Sequence, residues 1–244
     1  QELMPELIGL GFEFRTKSDT ECIVNAWRAW GDKCVQRLRG MFAFALWDRN
    51  RQTFFMARDR LGVKPMYYAM LYDGWLVFGS ELKSVLAYNG GQGGLRRDID
   101  PQAVEDYFAL GYVAEPRTIF KQALKLSPGH QLRIRRGQPV PAPQEYWQLR
   151  FTLDNPISTD DACDELRARL SESVRLRMIA EVPLGAFLSG GVDSSAVVAS
   201  MAGLSDAPVN TCSIAFDDPK FNESAFAQMV ADRYRTDHFV QTVK

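Results

Sequence analysis

The sequence lacks most of what marks a membrane, metal or nucleic-acid-binding protein. No apolar run approaches the roughly 20 residues needed to span a bilayer. No secretory signal is visible, because Gln1 leads straight into an acidic, proline-containing stretch. Cysteine is sparse: Cys22, Cys34, Cys163 and Cys212 are scattered, the nearest two twelve residues apart. That spacing indicates neither a CxxC metal site nor a disulfide framework. A reducing cytoplasm is the simplest setting, with each cysteine expected as a small buried hydrophobe. The only histidines, His130 and His238, lie far apart, give no signal for a metal site or a triad, and read as structural. The formal net charge is −1. The basic clusters "RLRIRRGQ" and "RARLSESVRLRM" read as solvated faces and not as a nucleic-acid surface.

What is present is ordinary for a soluble globular protein: 244 residues, 46% hydrophobic and 24% charged, enough for one large or two modest domains. The first half predicts a helix behind Ser18 and Glu21, a capping box in which the glutamate reaches back to the cap amide. Ile23, Ala26, Trp27 and Trp30 share its face and Gly31 stops it. "MFAFALWD" (41–48) alternates Phe42, Phe44 and Leu46 against Ala43, Ala45 and Trp47, a strand apolar on both sides and therefore covered twice. "TFFMARD", "PMYYAML" and "WLVFGS" follow as strands. The turn holding Arg58, Asp59, Arg60 and Lys64 reads as salt-bridged and structural. Ser80 is placed to cap a short helix, residues 89–95 form a glycine-rich loop, and Asp100 with Pro101 starts another helix. "LSPGHQLRIRRGQPVPA" reads as a hairpin, and a domain boundary falls near residue 150.

Beyond it, helices and strands alternate, which predicts a parallel, doubly wound sheet. Ser158 and Asp161 cap a helix with Leu166, Leu170 and Val174 on one face. "EVPLGAFL" is a strand, "SSAVVASMAG" a helix ended by glycine, and "VNTCSIAF" a strand. "NESAFAQMVADRY" follows as a helix with Asn222 before Glu223 as its cap, and "DHFVQTV" is the last strand.

Between strand and helix stands "LSGGVDSSA" (188–196). In an open parallel sheet, ligands bind beyond the carboxyl ends of strands. Gly190 and Gly191 are suited to positive φ and to close approach of backbone amides. The following helix adds a positive dipole end, and Ser189, Ser194 and Ser195 add hydroxyl donors. The Walker lysine is absent. Asp193 stands where a cation would serve, which makes it a candidate magnesium ligand shared with phosphate oxygens. The alternative is a helix cap behind a tight glycine turn.

"SGGVDSS" resembles the pyrophosphate loop of the ATP pyrophosphatases, which cleave ATP between the α and β phosphates. "SDTE", "RLRGMFAFALWD", "ARDRLGVKPMYY" and "SELKSVL" resemble the class II glutamine amidotransferase domain of glutamine-hydrolysing asparagine synthetases. "EPRTIFKQALKLSPGH" and "VPLGAFLSGGVDSS" continue that resemblance in order. It implies an α+β first domain at residues 1–150, an Ntn-hydrolase αββα sandwich. It also implies an α/β second domain at 151–244, the start of an ATP-pyrophosphatase sheet.

The activity implied is amide synthesis. Glutamine supplies ammonia at one site and Mg-ATP adenylates a carboxylate, aspartate in this family, at another, with ammonia passing through an internal tunnel. The resemblance points to Asp19 for the glutamine α-amine, where a helix cap is the simpler reading of the residue alone. It points to Leu188, Ser189, Gly190, Gly191, Asp193, Ser194, Ser195 and Ile214 for ATP, the last by a backbone contact to adenine from a core position. Asp193 is assigned to Mg²⁺. The expected partners are glutamine, aspartate and ATP, with a homodimer as the assembly in view and neither nucleic acid nor membrane. The family's N-terminal cysteine nucleophile, its "NGE" segment and its "SGEGSDE" loop do not occur, so a chain shortened at both ends is expected. Alternatives are a paralogous amidotransferase or a β-lactam synthetase-like enzyme with another carboxylate acceptor, or a non-catalytic nucleotide-binding module.

Overall fold

The computed structural model describes residues 2–88, 94–152, 156–180, 182–218 and 220–243. Most of the glycine-rich loop expected at 89–95, the first residue of the strand expected from Glu181, and both terminal residues lie outside them. The chain divides into two units, Gln1–Phe151 and Thr152–Lys244.

The first unit opens with a helix that the sequence pattern did not reveal, α1 (Leu3–Gly9), which buries Leu7 completely. Its Pro5 sits in the first turn, where a missing amide costs no intrahelical bond. Helix α2 (Asp19–Trp30) is capped by Ser18, whose hydroxyl accepts the Thr20 amide at 3.2 Å. Glu21 departs from the expected box. It reaches past the Ser18 amide to accept the Arg15 and Thr16 amides at 2.9 and 2.7 Å and the Thr16 hydroxyl. Those bonds hold its carboxyl below the usual range, the Thr16 hydroxyl contributing most. The buried stripe of α2 is Cys22, Asn25, Ala26 and Trp27, with Ile23 and Trp30 only half covered. A 3₁₀ turn, Gly31–Lys33, leads into α3 (Cys34–Arg37).

Strands β1 (Ala43–Asp48) and β2 (Thr53–Arg58) pair antiparallel, Ala43 against Arg58 through Asp48 against Thr53. β3 (Tyr67–Met70) and β4 (Leu76–Gly79) form a second antiparallel pair. Helix α4 (Leu82–Leu86) follows with Glu81, not Ser80, at its cap position and no side-chain cap. Helix α5 (Pro101–Leu110) starts as expected, Asp100 accepting the Gln102 amide at 3.1 Å.

The expected hairpin at 126–142 does not form as such. β5 (Ala123–Lys125) joins β3, whereas β6 (His130–Arg135) joins the free side of β2 and then takes β7 (Gln144–Glu145). The sheets are therefore β1-β2-β6-β7 and β4-β3-β5. β1 packs on both faces, Phe42, Phe44 and Leu46 with Leu7, Trp27 and Phe55, and Ala43 and Ala45 with Met56, Tyr68 and Leu132, but Trp47, expected on the second face, is 47% exposed. A third cluster sets Val85 of α4 against Ala69 of β3. The order of packing in this unit is helices, first sheet, second sheet, helix.

The charged turn after β2 is structural. Arg58 is 6% exposed, and its guanidinium donates to the carbonyls of Lys64, Gly62 and Leu126 and to both carboxylate oxygens of Glu115 at 3.0 Å. Asp59, also buried, accepts the amides of Leu61, Val63 and Lys64. Both buried charges are thus fully partnered, the condition under which burial is tolerated.

In the second unit, α6 (Thr159–Arg177) begins at Ser158, which accepts the Asp161 amide at 3.1 Å and donates to its carboxylate at 2.6 Å. Leu170 and Val174 pack with Met201 and Val209, but Leu166 stays 68% exposed. β8 (Gly185–Phe187), α7 (Val192–Leu204), β9 (Asn210–Phe216), α8 (Ser224–Tyr234) and β10 (Asp237–Val243) follow in alternation. The strands make a parallel sheet, β10-β9-β8. Gly203 does not end α7, which closes at Ser205. Asn222, expected as the cap of α8, stands one residue before it: Glu223 holds the cap position without a side-chain cap bond, and Asn222 accepts the Ser224 amide at 3.0 Å. No helix among the described residues is long and apolar enough to cross a membrane.

Candidate functional site

Residues 188–195 are tied down before they turn. Leu188, 1% exposed, packs with Val198 of α7 and Ala227 and Ala231 of α8. Its amide donates to the Cys212 carbonyl at 2.8 Å, and its carbonyl accepts the Ser213 hydroxyl. Both main-chain groups of the residue entering the loop are therefore held by β9.

The two glycines do different work, contrary to the expectation of positive φ at both. Gly190 has φ +82°, and an added Cβ would lie 2.5 Å from Cβ of Phe226 and 2.7 Å from the Ala227 amide nitrogen. The loop backbone rests directly on the first turn of α8, and only glycine fits. Gly191 has φ −71° and is the cap residue of α7.

The serines knit the loop to itself, where free donors had been expected. Ser195 donates to the Gly191 carbonyl at 2.7 Å, and Ser194 donates to the same carbonyl at 3.2 Å. Ser194 also accepts the Ser189 amide at 3.3 Å and lies 3.1 Å from the Ser189 hydroxyl. No described side chain caps α7, so its first-turn amides and dipole face outward, the arrangement that receives anions.

Two cavities flank the loop. One, of about 270 Å³, is lined by Leu188, Ser189, Ser213, Ile214, Phe216 and Glu223, among others. The other, of about 530 Å³, has Asp193 and Ser194 on its wall with Arg177, Val174 and Met201. Gly190, Gly191 and Ser195 complete the loop. Ile214 is not the core residue expected but is 53% exposed. β9 turns its small and hydroxyl residues, Thr211, Ser213 and Ala215, inward and leaves Cys212, Ile214 and Phe216 on the cavity side. Sequence reasoning missed Ser213 and Phe216. The signal for both was this alternation in "TCSIAF", with the bulky residues on the opposite face from the buried one.

Asp193 is exposed in the first turn of α7. Among the described residues no three His, Cys, Asp or Glu side chains cluster as a metal cage. A lone carboxylate beside outward-facing amides still fits magnesium, which is held by one or two carboxylates and completed by phosphate and water.

In the first unit, Asp19 is the first helical residue of α2, exposed, with the Thr20 hydroxyl donating to it at 3.4 Å. His130 lies 2.7 Å from the Pro128 carbonyl, a local turn contact. Of the cysteines, Cys22 and Cys34 are buried as expected, Cys212 is half-buried, and Cys163 is exposed on α6. Burial pushes the Cys34 thiol up to about 12, with Asp32 adding to it.

The family model for the glutamine amidotransferase domain matches residues 1–147, and that for asparagine synthase matches residues 165–244. A putative glutamine-hydrolysing asparagine synthetase 2 of Methanocaldococcus jannaschii is 37% identical over 229 residues, which cover 93% of this chain and 43% of that protein. Glutamine-hydrolysing asparagine synthetase 3 of Bacillus subtilis is 36% identical over 234 residues, 93% of this chain and 37% of that protein. Amidase chyE of Penicillium rubens is 36% identical over 198 residues, 79% of this chain and 28% of that protein. The chain spans less than half the length of each of these relatives.

Proposed function

This chain belongs to the glutamine amidotransferase domain family, and from that premise we propose that it serves glutamine-dependent, ATP-driven amide synthesis with aspartate as the acceptor. The observation that carries this reading is the loop at 188–195, pinned at Leu188 and Gly190, with uncapped helix amides on one side and the exposed Ile214 on the other. The cavity beside Ile214 is close to the lower end of small-molecule sites, roughly 300 Å³, and suits a nucleoside whose phosphates extend over the loop. The main chain at Ile214 addresses the base. Ser189, Gly190, Gly191, Ser194 and Ser195 address the β and γ phosphates through amides and hydroxyls that exchange loop-internal partners for phosphate oxygens, and Leu188, whose amide and carbonyl are both engaged by β9, anchors the loop beneath them. Asp193 would hold Mg²⁺, which supplies charge neutralisation at the phosphates.

In this scheme a carboxylate oxygen of the acceptor attacks the α phosphorus and the α–β bond breaks. Pyrophosphate leaves onto the loop, where prepositioned donors stabilise the charge that develops. Ammonia then attacks the acyl carbon and AMP departs with the carboxylate oxygen. Asp19, at the start of α2, binds the glutamine α-amine in the first unit, whose layers we assign to an Ntn-hydrolase sandwich. The second unit we assign to an ATP-pyrophosphatase sheet.

A second reading keeps the chemistry and changes the acceptor: the residues of the loop at 188–195 address ATP and none of them selects the acceptor, and a relative of similar identity carries a name other than asparagine synthetase. The test is pyrophosphate release by the intact protein with Mg-ATP, glutamine and a panel of carboxylates. Aspartate-dependent release supports the first reading, release with another acid supports the second, and no release with any acid refutes both.

A further inference from the structure

One partly buried polar chain ends on the loop without belonging to it. His238 of β10 stands opposite Thr211 of β9 in the parallel register. Thr211 and Ser213, two residues apart and therefore on one face of the strand, are 3% and 5% exposed. The imidazole lies between them, Nδ1 at 2.8 Å from the Thr211 hydroxyl and Nε2 at 3.3 Å from the Ser213 hydroxyl. Thr211 is in turn 2.8 Å from the Thr236 hydroxyl.

The direction of every bond follows from one fixed end. The Leu188 carbonyl can only accept, so Ser213 spends its proton there. The Ser213 oxygen is left to accept, and the donor within reach is Nε2–H of His238. In the neutral ring Nδ1 then accepts from the Thr211 hydroxyl, and Thr211 accepts from Thr236. With the ring proton on Nδ1 instead, Nε2 would accept and would compete with the Leu188 carbonyl for the Ser213 proton.

We infer that His238 is a positioning residue for the loop: through Ser213 it fixes the Leu188 carbonyl and with it the placement of the amides of residues 189–191 that receive pyrophosphate. The inference rests on the reading of 188–195 as a pyrophosphate loop. His238 lines neither cavity, whereas Ser213 lines the smaller one, so the effect of His238 falls first on the loop and phosphate binding and less on the nucleoside cavity.

Calorimetric titration of the intact protein with magnesium pyrophosphate, Mg-ATP and adenosine separates these contributions. Loss of one neutral hydrogen bond in the chain is expected to weaken pyrophosphate and Mg-ATP binding by roughly three- to tenfold, with adenosine binding weakened less. His238→Gln, whose Nε2–H can still reach Ser213, restores most of the loss that His238→Ala causes. ¹⁵N spectra of the intact protein, with the His238 ring signals identified by their loss in His238→Gln, give a second readout. His238 is expected as the Nε2–H tautomer, and pyrophosphate shifts its ring nitrogens and not those of His130. Equal weakening of adenosine and pyrophosphate, unchanged pyrophosphate affinity in His238→Ala, or an Nδ1–H tautomer overturns the inference. If the unaltered protein binds neither Mg-ATP nor pyrophosphate, the reading of the loop fails first and the inference falls with it.

Discussion

Gly190→Ala tests the loop most sharply because its neighbour is a built-in control. An alanine at φ +82° enters the left-handed region at a cost of roughly 1–2 kcal/mol. Its methyl would meet the Phe226 Cβ at 2.5 Å and the Ala227 amide at 2.7 Å. The second of these is helix backbone and cannot rotate aside, so relief requires moving either α8 or the loop, and overpacking of this kind costs roughly 1–3 kcal/mol. The sum, roughly 2–5 kcal/mol, is a large part of the ~5–15 kcal/mol that holds a domain folded. Gly191→Ala has φ −71° and meets only the Ser189 hydroxyl oxygen at 3.4 Å, so it loses roughly 0.5–1 kcal/mol as a poorer cap. Urea unfolding of both variants gives the stability difference, and Mg-ATP titration shows whether the loop has moved. Gly190→Ala is expected to shift the midpoint strongly and to lose nucleotide affinity by at least about tenfold, with Gly191→Ala close to the unaltered protein in stability. Equal stability of the two variants would refute the claim that residue 190 is pressed onto α8.

Four further outcomes are expected. Asp193→Asn should abolish Mg-ATP-dependent pyrophosphate release while leaving glutamine hydrolysis intact; equal loss of both activities would make Asp193 a structural residue only. Asp19→Ala should raise the KM for glutamine and spare synthesis from ammonia, and an unchanged glutamine KM would remove it from that site. With a chromogenic disulfide at pH 8, Cys163 should react first, and Cys34, whose thiol burial holds near 12, only on unfolding. Rapid labelling of Cys34 in the folded protein would contradict its placement. Glu21 is a carboxyl whose pKa is lowered on folding, so its stabilising effect is complete above its ordinary value of 4.5 and lost as pH falls through the folded value. The stability gap between the unaltered protein and Glu21→Gln should close on acidification, and a gap independent of pH argues against the carboxylate's role.

Local chemistry was legible where a residue acts on its near neighbours. Asp100 with Pro101 and Ser158 with Asp161 cap helices as their positions suggest, and Asn222 accepts a first-turn amide from one residue before the cap. The two-faced apolar pattern of 41–48 does correspond to a strand packed on both sides. What failed depends on distant chain. Nothing within 58–64 names Glu115 as the partner of Arg58, and nothing within 126–142 says that β6 will pair with β2 and leave β5 to another sheet. Helix α1 escaped notice because seven residues with a proline in the first turn carry too little periodicity to read. Around the loop, residue types pointed to an anion site, but conformation did not follow from them. Which glycine takes positive φ depends on where α8 lies, and whether Ile214 is inside or out depends on what covers β9.

The central claim is that a carboxylate is activated by attack on the α phosphorus of ATP over the loop at 188–195. The direct measurement is the fate of label from ¹⁸O-carboxyl aspartate in a turnover with Mg-ATP and glutamine. The account predicts that one ¹⁸O appears in AMP for each amide formed and that pyrophosphate carries none. Label in inorganic phosphate, with ADP as the nucleotide product, would contradict it.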